Sequence, residues 1–476
     1  MDEPVRFEVV YTDERLEARG GLAVVGRLLA ETDLRAAFDA LPVSGYGRPT
    51  ISHGELVTGF VGLACLARPD FAAIEDEAAG DALRLSLGLE TLPSEQTLRQ
   101  RLDAIAADQP EAARRIAHEA SASLIATHAP AITPCLRVDD RRWVALDADV
   151  AAFDNSQTKK QGVGRTYKGC DGYAPNFAHL GAEGYLVNAA LREGTQHCQN
   201  GTPAFLEEAI EQARAILDSR GGRDSDSRLL VRLDAGHDDV ANVRACRAQR
   251  GVDWLIKRNL RHESLEHWRT FIKEHGGCER PRAGKEIWRG DCWMERDGRW
   301  ERVVFELTDR TSTAEGQQLL VPEVELGTWW TSLPKTKVSA EQVIALYCDH
   351  ATSEQFHSEL KSDMDLERLP SGKFATNALV LELGMLAYNA LRIVGQKSLA
   401  VNETLDESDQ APIKRDKRAQ RRAGRRRLRR VIQDLMHLAV KLTRSGRRWV
   451  LHLSLASAWS VVCGALYEHL LRPSPS

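Results

Sequence analysis

The chain lacks the features that would place it in a membrane or an oxidising compartment. Its nine cysteines stand singly among 476 residues, with no CxxC pair. That argues against a zinc ribbon or a disulfide framework and for a reducing cytoplasm. No uncharged apolar run reaches about 18 residues, so no membrane span and no membrane partner is expected. Residues 1–6 are acidic and polar and have no hydrophobic signal core. There is no internal repeat and no large excess of one charge, the formal net being −4. The apolar share of 43% and charged share of 28% are those of a soluble globular protein. The length exceeds one ordinary core and suggests roughly two to four domains.

The small net charge hides an uneven distribution. Residues 414–430 hold eleven Lys or Arg against one acid, Asp416, a local charge of +10 that leaves −14 for the rest. Like charges packed this densely repel unless a polyanion neutralises them. Nucleic-acid contact, through residues such as Arg425, Arg426 and Arg427, is one reading, and a solvated basic linker is the other.

The pattern along the chain divides it into five parts. Residues 1–135 read as helical, with Leu56, Val57, Phe60, Val61 and Leu63 at helical spacing and a second helix starting at Pro93-Ser94. This part is either a DNA-binding headpiece or a plain helical domain. Residues 136–258 alternate strands (143–150, 176–181, 185–191, 229–233, 252–257) with helices (203–218, 238–247), as an α/β domain does. Residues 259–338 are Trp-rich and β-like, an insertion. Residues 339–400 return to helix, at 339–363 and 376–394. Residues 401–476 contain a polar linker, the basic segment and a helical tail, 431–442 and 456–471.

Three acidic positions fall where chemistry is expected. Asp147 and Asp149 sit two apart on a strand and so project from one face. Asp234 follows the strand 229–233, at the end where α/β sheets present ligands. Glu354 lies in the helix after the insertion. Carboxylates gathered from separate elements need cations to coexist, and Mg²⁺, which keeps waters and accepts phosphate oxygens, suits them. Two such ions can drive phosphodiester chemistry. On the helix, Tyr347, His350, Glu354 and Lys361 form one stripe, Phe356, Leu360 and Met364 lie opposite, and Glu359 is turned about 140° from Glu354. An ordinary amphipathic helix would show the same pattern.

The spacing Tyr347-x2-His350-x3-Glu354-x6-Lys361 resembles the Y-x2-R-x3-E-x6-K signature of one branch of bacterial insertion-sequence DDE transposases. The "L-D-x-D" of that family corresponds to residues 146–149, and its "R-x-D-x-G" to Arg232-Leu-Asp234-Ala-Gly236. Stretches such as Pro93-Ser-Glu-Gln-Thr97, Leu191-Arg-Glu-Gly194 and Ala387-Tyr-Asn-Ala-Leu391 are also similar, over residues 45–460. The resemblance implies an RNase H-like (retroviral integrase-like) α/β core with a β-rich insertion, a helical N-terminal domain and a basic helical C-terminal region. It implies Mg²⁺-dependent cleavage at element ends and strand transfer by Asp149, Asp234 and Glu354, with two Mg²⁺ (Mn²⁺ substituting) held by these acids and Asp147. The first acid is Asp149 or Asp147, with Asp149 favoured and Asp147 supporting it. Tyr347, His350 and Lys361 would meet DNA, as would Lys159 and Lys160 on a loop after the first strand unless that loop is only surface. The expected partners are double-stranded DNA, as terminal inverted repeats and target, and a second copy in a homodimer. The location would be a bacterial cytoplasm, at the nucleoid. His350 departs from the family's Arg, and restoring Arg there is expected to be neutral or beneficial. A decayed copy that only binds DNA, or a nuclease on the same fold, is the alternative. His237 either touches the site or is a hydrogen-bonding loop histidine. Trp329 and Trp330 either stack on a flipped base or pack in the core.

Overall fold

The computed structural model describes residues 10–11, 13–260, 263–407 and 424–471, with the side chains of 405–407 set aside. The longer helices of the N-terminal part are α1 (Leu22–Ala30), α2 (His53–Cys65), α3 (Glu95–Asp108) and α4 (Pro110–His128). Ser52 and Ser94 start α2 and α3 by accepting from the backbone N–H groups of Glu55 and Thr97, which satisfies donors that a helix end leaves open. The α/β part follows in the order β1 (Arg141–Val150), β2 (Asn176–Leu180), β3 (Tyr185–Ala190), α5 (Thr202–Arg220), β4 (Arg228–Leu233), α6 (Val240–Ala248) and β5 (Val252–Lys257).

The insertion contains a helix that the Trp-rich pattern concealed, α7 (Leu265–His275), before strands β6 (Gly277–Arg282), β7 (Lys285–Arg296), β8 (Arg299–Ser312) and β9 (Gln318–Thr331). Its strands do not stand apart from the core. β9 pairs antiparallel with β5, so one sheet runs β6-β7-β8-β9-β5-β4-β1-β2-β3, with a short strand, Leu136–Val138, added beside β1. Within it β1, β4 and β5 are parallel, β2 is antiparallel to β1, and β3 is antiparallel to β2.

The single long helix expected over 339–363 is present, with two irregular turns inside it. α8 (Ala340–Cys348), opened by a Ser339/Gln342 capping box, passes through a tight turn at Asp349–Ala351 into α9 (Thr352–Ser358) and a wide π turn at Glu359–Asp363. Next comes α10 (Phe374–Glu407), longer than the apolar pattern suggested. By length and composition it could cross a membrane, but 94% of its most apolar window is buried in the protein. It packs against α1, α2, α3, α4 and β3, so the N-terminal helices share one core with the α/β part.

The C-terminal region also differs from the expected helices. A short helical stretch ends at Met436, and β10 (Val440–Ser445) and β11 (Arg448–Leu453) then form a hairpin before α11 (Ala458–Leu471). Val440 and Leu442 alternate with polar residues, and Gly446 supplies the positive φ of +60° in the turn, so a period of two prevails over helix propensity here. Residues 414–423 of the basic segment lie outside the described residues.

α9 docks on the sheet through Phe356, which is buried with Leu360 and Met364. Its ring lies against Gly184 in the β2–β3 turn, where an added Cβ would come within 2.2 Å of it and φ is +72°. Gly184→Ala is therefore expected to destabilise the protein by about 2 kcal/mol or more, read as a lower urea midpoint. An unchanged midpoint would show that the α9 contact yields easily.

Candidate active site

The site is set by the register of β1 against β4. Val144, Leu146 and Ala148 join the core, which turns Asp147 and Asp149 to the opposite face of the strand. In the parallel ladder Asp147 sits beside Arg232. Two residues further along each strand, Asp149 and Asp234 therefore emerge together at the carboxyl ends, where open α/β sheets present ligands.

The two β1 carboxylates have opposite surroundings. Asp147 is 2% exposed, and its two oxygens accept from Nε and Nη2 of Arg232, each at 2.6 Å. Nδ1 of His350 is 2.8 Å from the same carboxylate, and Nη1 of Arg232 donates to the Leu346 carbonyl at 2.6 Å. Burial alone would raise the Asp147 pKa, but the Arg232 charge, followed by His350, holds it well below the usual carboxylate range. Asp149 has no such partner. Burial, then the charge of Asp234, pushes its pKa up to about 6, although it accepts from the Val150 N–H. Asp234 is 45% exposed and lies 2.6 Å from Nδ1 of His237, an interaction that outweighs its burial and lowers its pKa.

Ligand atoms of Asp149, Asp234 and His237 all lie within 4.8 Å of one another, the geometry of a candidate metal centre. They open into a cavity of about 390 Å³ that is also lined by Arg165, Tyr167 and His197. A larger cavity, about 800 Å³, lies between α1 and the C-terminal elements and contains none of these acids. Glu354 is exposed and stands outside the cluster, with no hydrogen bond or ion pair among the described residues. It does share a helix face with two site residues. His350, four positions before it, touches Asp147, and His357, three positions after it, lies 3.9 Å from Asp149. Tyr347 packs between Trp329 and His350, at 5.7 and 5.6 Å between ring centroids. Its hydroxyl pKa is raised by burial and by the nearby Asp234 and Asp149.

A family model described as "Transposase DDE domain group 1" matches residues 70–474. The chain belongs to this family. No curated protein matches the transposase. Among solved structures it is similar to one described as a cryo-EM structure of the piggyBac transposase synaptic complex with hairpin DNA. That similarity has 9% identity and a TM-score of 0.40, covering 96% of this chain and 83% of the other.

Several residues expected to face DNA or metal are turned inward in the transposase. Asp147, expected to support the metal site, has both oxygens engaged by Arg232. His350, expected to meet DNA, is 5% exposed and turned onto Asp147. Lys160 donates to Asn155 and to the carbonyls of Arg368 and Leu369, so its charge fastens a loop. Lys159 is exposed. Lys361 donates to the Ala152 carbonyl at 2.6 Å and pairs with Glu367 at 2.8 Å.

Three arginines of the basic segment behave similarly. Arg425 bonds Gln355 and covers the Phe356 ring, and Arg426 pairs with Asp434 over the Trp459 ring. Arg427, half exposed, closes on the buried Asp363. Arg425 and Arg427 thus anchor this segment to α9 and the turn after it, where the buried Asp363 needs a cation, and Arg426 fastens it within the C-terminal region. Glu359 is buried against Arg392. Trp329 and Trp330 are both buried, Trp330 between Arg258 and Arg296.

His357 and the pairing partner Arg232 were missed as site residues in the sequence. His357 falls at the edge of the Tyr347–Lys361 stripe, which was the available signal. Burial pushes its pKa down to about 3, helped by His350 and nearby lysines.

The contrast between the two aspartates yields opposite predictions. Asp149 has its folded pKa, about 6, above the ordinary value near 4, so the folded state binds a proton that the unfolded state releases. Its contribution to stability is therefore lost as pH rises through that window. Without divalent cations, Asp149→Asn should stabilise the protein at pH 8 by on the order of 2 kcal/mol, with little gain at pH 4. For Asp147 the folded pKa is depressed, so its stabilisation is present above the unfolded value and lost on acidification. Asp147→Asn should cost about 3–5 kcal/mol at pH 8 by stranding Arg232. Urea titrations in EDTA at the two pH values check both, and equal shifts for the two variants would contradict the account.

His350→Arg would press a second guanidinium toward Arg232 in a buried space. Contrary to the tolerance expected from the family pattern, it should cost about 1–3 kcal/mol. A thermal melt matching wild type would restore the phosphate-contact reading.

Proposed function

We propose that this DDE transposase cuts DNA at the ends of a bacterial insertion sequence and joins the freed 3′-hydroxyl to target DNA, using two Mg²⁺ on an RNase H-like core. The observation that carries this reading is the meeting of Asp149 and Asp234 at the carboxyl ends of adjacent parallel strands. The strand order β3-β2-β1-β4-β5, with β1, β4 and β5 parallel, supports the core assignment.

The residues present fit a divalent cation. Asp149 is half-buried beside a second carboxylate and has no Arg or Lys paired to it among the described residues, a repulsion that a bound ion relieves. The carboxylate oxygens suit Mg²⁺, and the His237 nitrogen makes Mn²⁺ an acceptable substitute. Asp149 and Asp234 would hold the ions, and Glu354, on the face shared with His350 and His357, would complete the set. When bound, such ions supply activation of a water or 3′-hydroxyl and neutralise the leaving oxygen.

The protein's own groups do the rest. His237 orients the Asp234 carboxylate through its 2.6 Å contact. Arg232 and His350 fix Asp147, which fixes the strand on which Asp149 stands. Tyr347, packed between Trp329 and His350, would face the phosphate held at these acids. A homodimer on DNA follows from the need to bring two element ends together, and nucleoid-bound DNA in a bacterial cytoplasm would be the setting.

Mg²⁺-dependent nicking of DNA carrying the element ends tests the reading. Asp149→Asn, Asp234→Asn and Glu354→Gln should each lower cleavage by more than the roughly hundredfold typical of losing an outer-shell partner. DNA affinity should stay within a few-fold, since basic groups dominate it. Glu359→Gln should lose stability in place of chemistry. Full cleavage by Glu354→Gln would remove it from the site.

A further inference from the structure

The wall of the acidic cavity carries a feature that metal chemistry does not use. A small three-stranded sheet, Phe153–Asp154, Gly164–Arg165 and Asp171–Tyr173, stands beside Asp149 and ends in the turn 166–170. The turn is closed by hydrogen bonds from Thr166 N to the Cys170 carbonyl and from Gly169 N to the Thr166 carbonyl, each 2.9 Å. It is therefore a firm mount and not a loose loop.

On it Tyr167 is 62% exposed, yet its hydroxyl donates at 2.8 Å to the carbonyl of Val150, the residue after Asp149. The tip of the ring is pinned at the metal-binding acids while its face is left to solvent. Lys168, exposed, lies 5.8 Å from the ring centre, and Arg165, 69% exposed, has only a 3.5 Å contact with Asp171. An exposed ring alone means little. An exposed ring fixed at the rim of an acidic cavity, with two solvent-facing cations beside it, matches how single-stranded nucleic acid is held, by stacking on aromatic faces with basic groups along the backbone.

We propose that the Arg165–Lys168 turn is the substrate wall of this site, with Tyr167 stacking on the base next to the scissile phosphate and Arg165 and Lys168 holding neighbouring phosphates. This rests on the DNA-cleavage reading above. The pinned hydroxyl sets the distance between the stacked base and the acids, so Tyr167 is a positioning residue for the strand.

The test uses the full chain and a short duplex with a 3′ single-stranded overhang carrying 2-aminopurine, in Ca²⁺ to fill the site without supporting cleavage. Wild type should quench the fluorophore on binding. Tyr167→Ala should bind roughly tenfold more weakly and lose the quenching, while Tyr167→Phe, which keeps the ring, should retain it. Arg165→Ala and Lys168→Ala should weaken binding and flatten its salt dependence while leaving quenching at saturation intact. An unchanged circular-dichroism melt for Tyr167→Ala separates these effects from misfolding. If wild type nicks DNA but Tyr167→Ala binds and quenches as wild type does, this inference falls and the function stands. If wild type neither binds the probe nor nicks, the function itself falls and this inference with it.

Discussion

The buried ion pair between Asp147 and Arg232 ties together the parts that must stay in register. It joins neighbouring strands, reaches the end of α8 through the Leu346 carbonyl, and receives His350 from the turn before α9. Taking two charges out of water is costly, and such a pair is no general source of stability. Here the pair has every polar atom engaged in fixed geometry, which makes it a register pin. Shifting β1 by one residue would bring an alanine to the pin and bury Asp149 with nothing opposite.

The same arrangement explains why two aspartates on one strand face serve different ends. Asp147 receives the Arg232 guanidinium, and Asp149 has the Asp234 carboxylate as its neighbour. Titratable groups whose surroundings push their pKa values apart are the usual mark of divided roles in a site. His237 stands in a similar position beside Asp234.

Much of this was readable in the chain, in proportion to how local the signal is. The strands 143–150 and 229–233 and the acids at their ends follow from apolar patterning and position. The familiar stretch Ala387–Leu391 turns out to pin strands: Tyr388 donates to the Gly184 carbonyl, and Asn389 exchanges hydrogen bonds with both backbone groups of Leu186. Arg192 likewise bonds Asn176. The arginines at 425–427 could not be assigned from charge, because their partners Gln355, Asp434 and Asp363 are distant or unremarkable in sequence. The role of His350 depended on a contact with Asp147, some two hundred positions away. Helix 339–363 was legible from its continuous amphipathic pattern, which carries through the tight and wide turns within it.

The lateness of α10 in the chain has a consequence for how the molecule is made. Helices α2, α3 and α4 have their apolar faces closed by a segment that begins at Phe374, so during synthesis they emerge well before their partner. Contacts this remote close slowly, and apolar faces left waiting are prone to self-association. A product broken off before α10 would hold β1 and β4 with both their aspartates but not the helix that completes its core. Such a fragment should be cleared or aggregate and not persist as a competitor for DNA, so activity is coupled to finished translation through the order of the fold alone.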